Sequence, residues 1–341
     1  MKKSLLKILF KNQEYLINSY LDNNQYRINQ LIHAIFVKKK FNIQDITTIP
    51  KKIKNSLEKE FEILNLLSIK KNISKDGTIK FLFKLSDDNC IESVLLKDKN
   101  NRITFCISTQ IGCKMNCKFC MTGKMGFIRN LDYTEIISQI LYLSAIVNKN
   151  FNIVFMGMGE PLDNYINLYK TINILIDKNY FGFSISRITV STSGIINGIN
   201  RLLNDFPSIN ISISINSMIK KTREELMPIA KNNPIDKLFS ELYKNHKKYK
   251  NRFTLEYVLI KNKNINIDEI YEFKKLKNKN AFLINIIPLN NINEINIIKP
   301  NEKEIKWFCN KLIESGFKVT RRYRRGEDIN SACGQLYWKY Q

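Results

Sequence analysis

Apolar positions follow two rhythms along the chain, and the rhythm changes near residue 90. In QYRINQLIHAIFVKKK, the residues Ile28, Leu31, Ile32, Ile35 and Phe36 fall at the spacing of one helix face. Pro50 in TTIPKKIKNSLEKEF stands where a helix start tolerates proline. The opening MKKSLLKILFKNQEYLIN reads as an amphipathic helix. Lys7 and Lys11 break its apolar run and no small-residue cleavage site comes after it, which argues against a signal peptide. DGTIKFLFKLSDDNCIESVLLK alternates like strands around turns, with Gly77 and Asp87-Asp88-Asn89 as the turn chemistry. These stretches predict a small N-terminal helical module with a short strand-like connection over residues 1–90.

From about residue 100, short β-branched runs alternate with longer helical patterns. The strand candidates are RITFCIST, NIVFMG, RITVSTS, NISISIN, FTLEYVLI, LINIIP and FKVTRRY. Helical stretches such as YTEIISQILYLSAIV and PIDKLFSELYKNHKK lie between them; in the first, Ile136, Ile137, Ile140, Leu141 and Leu143 make an apolar face. Repeated β-then-α units predict an α/β fold with a parallel sheet or an incomplete barrel, one or two units short of eight. This unit is expected over residues 91–325, with a separate C-terminal segment over 326–341. Such folds place their chemistry on the loops after the strands. GCKMNC comes after the first strand and GMGEP after the second; STSG, SIN and PLN end the third, fourth and sixth.

Composition adds charge and thiols. The formal net charge is +24, from 55 Lys+Arg against 31 Asp+Glu, which favours a polyanionic partner such as a nucleic acid. Lys, Asn and Ile are all over-used, in runs such as NINEINIIKPNEKEIK, so compositional bias accounts for part of that charge. No apolar run approaches 18 residues, so no membrane span is expected. Seven cysteines without a signal peptide point to the cytoplasm, and to metal or redox chemistry rather than a disulfide framework.

Cys113, Cys117 and Cys120 fall within eight residues. A structural zinc site wants four ligands, so zinc here has to borrow one of Cys90, Cys106, Cys309 or Cys333. The alternative is a four-iron cluster held by three thiolates, with one iron open for a ligand. The glycines of MGMGEP allow close approach of backbone to a ligand, and Glu160 is able to accept from an ammonium group.

The Cys-x3-Cys-x2-Cys loop after the first strand resembles the radical S-adenosylmethionine (SAM) superfamily, with its partial (β/α)6-type barrel. TFCISTQIGCKMNCKFCMTGKMGFIRNL, VFMGMGEPLDN, RITVSTSG and RGEDINSACGQL together resemble the RlmN/Cfr family of adenosine methyltransferases, from about residue 25 to 337. The resemblance implies a [4Fe–4S] cluster on Cys113, Cys117 and Cys120. It implies SAM contacts from Gly159, Glu160, Ser191, the stretch Ser214-Ile215-Asn216, and Asn290. It also implies that Cys333 is methylated by one SAM, and that a second SAM yields a deoxyadenosyl radical that activates the S-methyl group for addition to adenine. Glu92 then removes the ring proton, and Cys106 releases the product by forming a disulfide with Cys333. Asn216 stands where the family has His; it hydrogen-bonds but does not titrate. Arg321, Arg322, Arg324 and Arg325, just before Cys333, suit phosphate contacts.

The activity that the resemblance implies is methylation of C2 of adenosine in 23S rRNA and in tRNA next to the anticodon. An electron-donor protein is the expected partner and a monomer the expected state. A Cfr-type enzyme acting at C8 uses the same five cysteines. A non-catalytic, zinc-stabilised RNA-binding protein is the reading from a different class.

Overall fold

The computed structural model describes residues 2–10, 20–21, 24–98, 100–147, 150–289, 297–322, 325–331 and 334–336. Among these residues the dominant feature is a ten-stranded mixed sheet. It opens with three antiparallel strands, β3 (Leu66–Ile73), β4 (Ile79–Leu85) and β5 (Cys90–Lys97). β5 pairs antiparallel with β6 (Ile103–Cys106). Seven parallel strands then run in order: β6, β9 (Phe151–Phe155), β10 (Ile188–Thr192), β11 (Asn210–Ser214), β12 (Phe253–Leu259), β13 (Phe282–Pro288) and β14 (Lys318–Arg321). Each of the seven β-branched runs therefore forms a strand. Among the described residues β3 and β14 stand at the two ends of the strand order.

Helices connect the parallel strands. They include α5 (Tyr133–Ile146), α6 (Tyr165–Ile176), α7 (Ile196–Asp205), α8 (Lys220–Leu226), α9 (Ile235–Tyr249), α10 (Ile267–Lys274) and α11 (Glu302–Glu314). A short hairpin, β7 (Gln110–Gly112) with β8 (Phe127–Asn130), is inserted between β6 and α5 and encloses the one-turn α4 (Met121–Lys124).

The N-terminal region carries α1 (Leu5–Leu9), α2 (Gln25–Phe36) and α3 (Lys51–Glu60), the last starting directly after Pro50. Lys3–Ser4 (β1) pairs with Phe61–Glu62 (β2). Residue 90, the expected module boundary, is the first residue of β5 and lies inside the sheet. One contiguous apolar cluster runs from Leu5 through the sheet to Leu336.

α5 departs from its expected single apolar face. Thr134, Glu135, Ser138, Gln139 and Ser144 are buried along with the isoleucines. The segment before β3 lies across its outer side, where Asn65 bonds to Thr134 Oγ1 (3.0 Å) and Ser138 Oγ (3.2 Å). On the inner side the amide of Gln139 bonds Ser93 and Ser108. No helix among the described residues is long and apolar enough to cross a membrane.

Candidate active site

The cysteine loop is pinned at several points. The N–H of Cys113, the residue after β7, donates to Gly126 O at 2.7 Å, and that of Cys120 donates to Cys117 O at 3.1 Å. Lys118 N–H reaches Leu226 O at the end of α8 (2.9 Å). Met121 N–H reaches Gly334 O (2.8 Å) and Thr122 Oγ1 reaches Leu336 O (2.7 Å). The loop is thus clamped between α8 and the C-terminal segment.

Beside it lies a cavity of about 170 Å³ at the C-terminal ends of the strands. Cys113, Cys117, Cys120, Gly159, Glu160, Ser191 and Ser214 all line it. Glu160 is buried, and its two oxygens accept from Leu162 N (3.1 Å) and Ser193 N (2.7 Å). It therefore ties the loop after β9 to the loop after β10, and burial pushes its pKa up. Ile215 and Asn216 are fully buried and do not line this cavity. Asn216 has φ +58°, accepts from Val258 N at 2.8 Å and donates to Met227 Sδ at 3.1 Å. Asn290 and Cys333 lie outside the described residues, as does Arg324.

A second cavity, of about 480 Å³, lies along the inward faces of β5, β6 and β9 to β13, so the sheet curls around it. Cys106 lines it. Met156, Glu256, Ile287 and Arg322 line both cavities and mark where they meet. Glu256 is buried, accepts from Asn285 Nδ2 at 2.8 Å, and has its pKa pushed up by burial. Strand alternation places Glu92 on the same face of β5 as Val94 and Leu96, which line this cavity. Lys80 meets the Glu92 carboxylate at 2.8 Å, and its ammonium also donates to Asn330 O at 3.1 Å.

Residues 326–331 dock on the turn between β3 and β4. Ser74 Oγ donates to Asp328 (2.6 Å), and Gly326 N–H donates to Asp76 (2.9 Å). Ser331 lines the same cavity as Cys106. Of the arginines singled out in the sequence, Arg322 and Arg325 face that cavity. Arg321 instead makes a bidentate pair with Glu302 of α11, both contacts at 2.7 Å.

Residues 107–274 match the model of the radical SAM superfamily. A probable dual-specificity RNA methyltransferase RlmN from Thermotoga petrophila is 41% identical over 321 residues, 92% of each chain. The dual-specificity RNA methyltransferase RlmN of Nautilia profundicola is 37% identical and also covers 92% of both chains. The crystal structure of a radical SAM methyltransferase from Sphaerobacter thermophilus matches with a TM-score of 0.92 at 32% identity, over 98% of both chains. The chain belongs to the RlmN family of radical SAM RNA methyltransferases.

RlmN membership makes it an enzyme that methylates RNA, and the superfamily implies a four-iron cluster and SAM. The donor set fits that cluster. Three half-buried cysteines share one cavity wall with no histidine among them. Among the described residues, no three His, Cys, Asp or Glu side chains converge on a single metal position. Burial pushes the Cys113 thiol up to about 12 and Cys117 further up. Ligation needs thiolates, so bound iron has to supply the positive charge that this apolar wall withholds.

Three residues at the site were not singled out in the sequence: Lys80, Arg223 and Glu256. For Lys80 a cue existed. In the antiparallel register Lys80 faces Val94 and Leu82 faces Glu92, which makes Lys80 and Glu92 diagonal neighbours on one sheet face.

Proposed function

We propose that this chain methylates C2 of adenosine in 23S rRNA and in tRNA next to the anticodon, through a methyl relay on Cys333. In this reading Cys113, Cys117 and Cys120 hold the [4Fe–4S] cluster. Gly159, Glu160, Ser191 and Ser214 receive SAM from the cavity wall, two molecules being consumed per turnover. Asn290 adds a contact from its loop. The amide of Asn216 is already engaged by Val258 and Met227 and the Ile215 backbone by Glu256 and Arg223, so this pair acts by holding Ser214 in place at the cavity wall. The bound cluster and SAM supply hydrogen-abstracting chemistry, which C2 requires because that carbon is electron-poor and a weak nucleophile. Cys333 carries the transferred carbon, Glu92 takes the ring proton, and Cys106 attacks Cys333 to free the product as a disulfide forms. An electron-donor protein and a reductant for the disulfide complete the cycle. The N-terminal module of residues 1–90 holds RNA, the unit of 91–325 houses the chemistry and 326–341 carries Cys333; the enzyme works as a cytoplasmic monomer.

The observation that carries this reading is the double docking of the C-terminal segment. Residues 326–331 are fixed on the β3–β4 turn, and Ser331 lines the cavity that holds Cys106. Gly334, the residue after Cys333, is bonded to Met121, the residue after Cys120.

The test uses anaerobically reconstituted protein, methyl-deuterated SAM, a reductant and rRNA or tRNA fragments, with the label located by mass spectrometry. Label on adenine C2, lost in Cys333→Ala and Cys106→Ala, is expected. Label on C8 makes the enzyme Cfr-type. No transfer with an intact cluster refutes the assigned substrate.

A further inference from the structure

Arg223 sits on α8 and is 1% exposed. Its guanidinium donates to three backbone carbonyls, Ser193 (3.2 Å), Ser214 (3.0 Å) and Ile215. Two of these close β11 and one comes just after β10, the strand ends that form the cavity wall. Nε has no partner, and among the described residues no carboxylate pairs with it. A buried cation held by neutral carbonyls and a thioether sulfur is an unusual arrangement, because its burial is not compensated by an opposite charge. Burial pulls its pKa down to about 10, which leaves it charged at neutral pH. Arg223 Nη1 lies 3.9 Å from Met227 Sδ, and Met227 lines the same cavity as Cys117 and packs with it in one apolar cluster. The bond from Lys118 N–H to Leu226 O joins the cysteine loop to the same helix.

We infer that Arg223 is the buried counter-charge of the cluster: it positions the strand ends around the site and sets how readily the cluster accepts an electron. This rests on the reading that Cys113, Cys117 and Cys120 hold the cluster. Three thiolates around a four-iron core leave a net negative charge, and reduction adds one more. A fixed cation in a low-dielectric setting favours the more negative state, so it raises the reduction potential. Glu160, the buried carboxylate on the same cavity wall as Cys113 and Cys117, pulls the other way.

The test compares Arg223→Gln with Arg223→Lys in the full-length, reconstituted protein by redox titration, following the cluster absorbance. Both substitutions lose the planar fork, but lysine keeps the charge. The reduction equilibrium constant is expected to fall about tenfold in Arg223→Gln, a shift of about 59 mV for one electron, and to change less than threefold in Arg223→Lys. If Arg223→Gln does not fold, Arg223→Met, an unbranched neutral side chain, takes its place in the comparison with Arg223→Lys. The same fall is then expected. An unchanged or raised potential in a folded, cluster-loaded Gln or Met variant overturns the inference. Wild-type protein that takes up no iron and sulfide overturns the cluster reading instead, so the two failures are distinct.

Discussion

Gly112 and Gly77 offer a paired test of how the first cluster cysteine is placed. Both have left-handed backbone, φ +72° and +82°. A Cβ at Gly112 meets the carbonyl oxygen of Gly126 at 1.9 Å, whereas a Cβ at Gly77 meets nothing within 4 Å. Alanine at either position incurs the left-handed backbone penalty of about 1–2 kcal/mol. Only at Gly112 does it add an overpacking cost, about 1–3 kcal/mol, because the obstacle is paired backbone and not a movable side chain. The sums are about 2–5 kcal/mol for Gly112→Ala and about 1–2 kcal/mol for Gly77→Ala. At roughly 2 °C per kcal/mol for a chain of this size, Gly112→Ala should lower Tm by about 4–10 °C, and Gly77→Ala by about 2–4 °C. The Gly126 oxygen that must move is the acceptor for Cys113 N–H, so Cys113 shifts relative to Cys117 and Cys120. Iron and sulfide per chain after reconstitution should therefore drop in Gly112→Ala and stay at the wild-type level in Gly77→Ala. Thermal melts of cluster-free protein and iron analysis check both halves. Equal Tm values in the two variants, with full iron in Gly112→Ala, refute the reasoning.

Three further outcomes are expected. Lys80→Met removes the ion pair of the Glu92 carboxylate, whose side chain is 5% exposed, and should cost up to about 3–5 kcal/mol in denaturant melts. The double variant Lys80→Met/Glu92→Leu recovers most of that loss, since an apolar pair replaces a buried ion pair, while methyl transfer stays lost; a double variant as unstable as the single one counts against a buried pair. Arg321→Ala removes an exposed pair with Glu302, so stability should change by less than about 1 kcal/mol and methyl transfer should hold; a tenfold fall in transfer makes Arg321 an RNA contact after all. Lys39 is partly buried and burial lowers its pKa from 10.5 to about 8. The folded state thus sheds this proton before the unfolded state does, and wild type should gain stability relative to Lys39→Met as pH rises from 8 to 10.5, with no relative change below that window. Paired melts across pH 7–10.5 test the sign.

The parallel strands were legible because strands covered on both faces read as continuous β-branched runs, and each run from RITFCIST to FKVTRRY became one. The cysteine triplet was legible from spacing alone. The burial of α5 was not, because its polar side chains bond to residues far off in sequence, such as Asn65 and Ser93. Arg223 was hidden for a related reason. It stands in KKTREEL, between lysines and glutamates that read as a solvated helix face. Only the turn of that short helix over the strand ends carries it inward, and pattern analysis of a seven-residue helix does not report which side is covered.

Asn216 suits its place for physical reasons of its own. Its backbone occupies the left-handed region, which asparagine tolerates better than most residues. Its amide bridges β12, through Val258 N–H, to Met227 at the end of α8. Asn264 donates to its carbonyl at 2.6 Å. The Asn216 amide thus offers an acceptor to the strand and a donor to the sulfur at once, a brace between β12 and the helix that carries Arg223. The brace and the arginine act on the same joint: one fixes where β11 ends, the other ties that end toward Cys117. A site that must hold a charged cluster in an apolar wall gains from having its counter-charge fixed in this way, because a cation free to move toward water screens nothing.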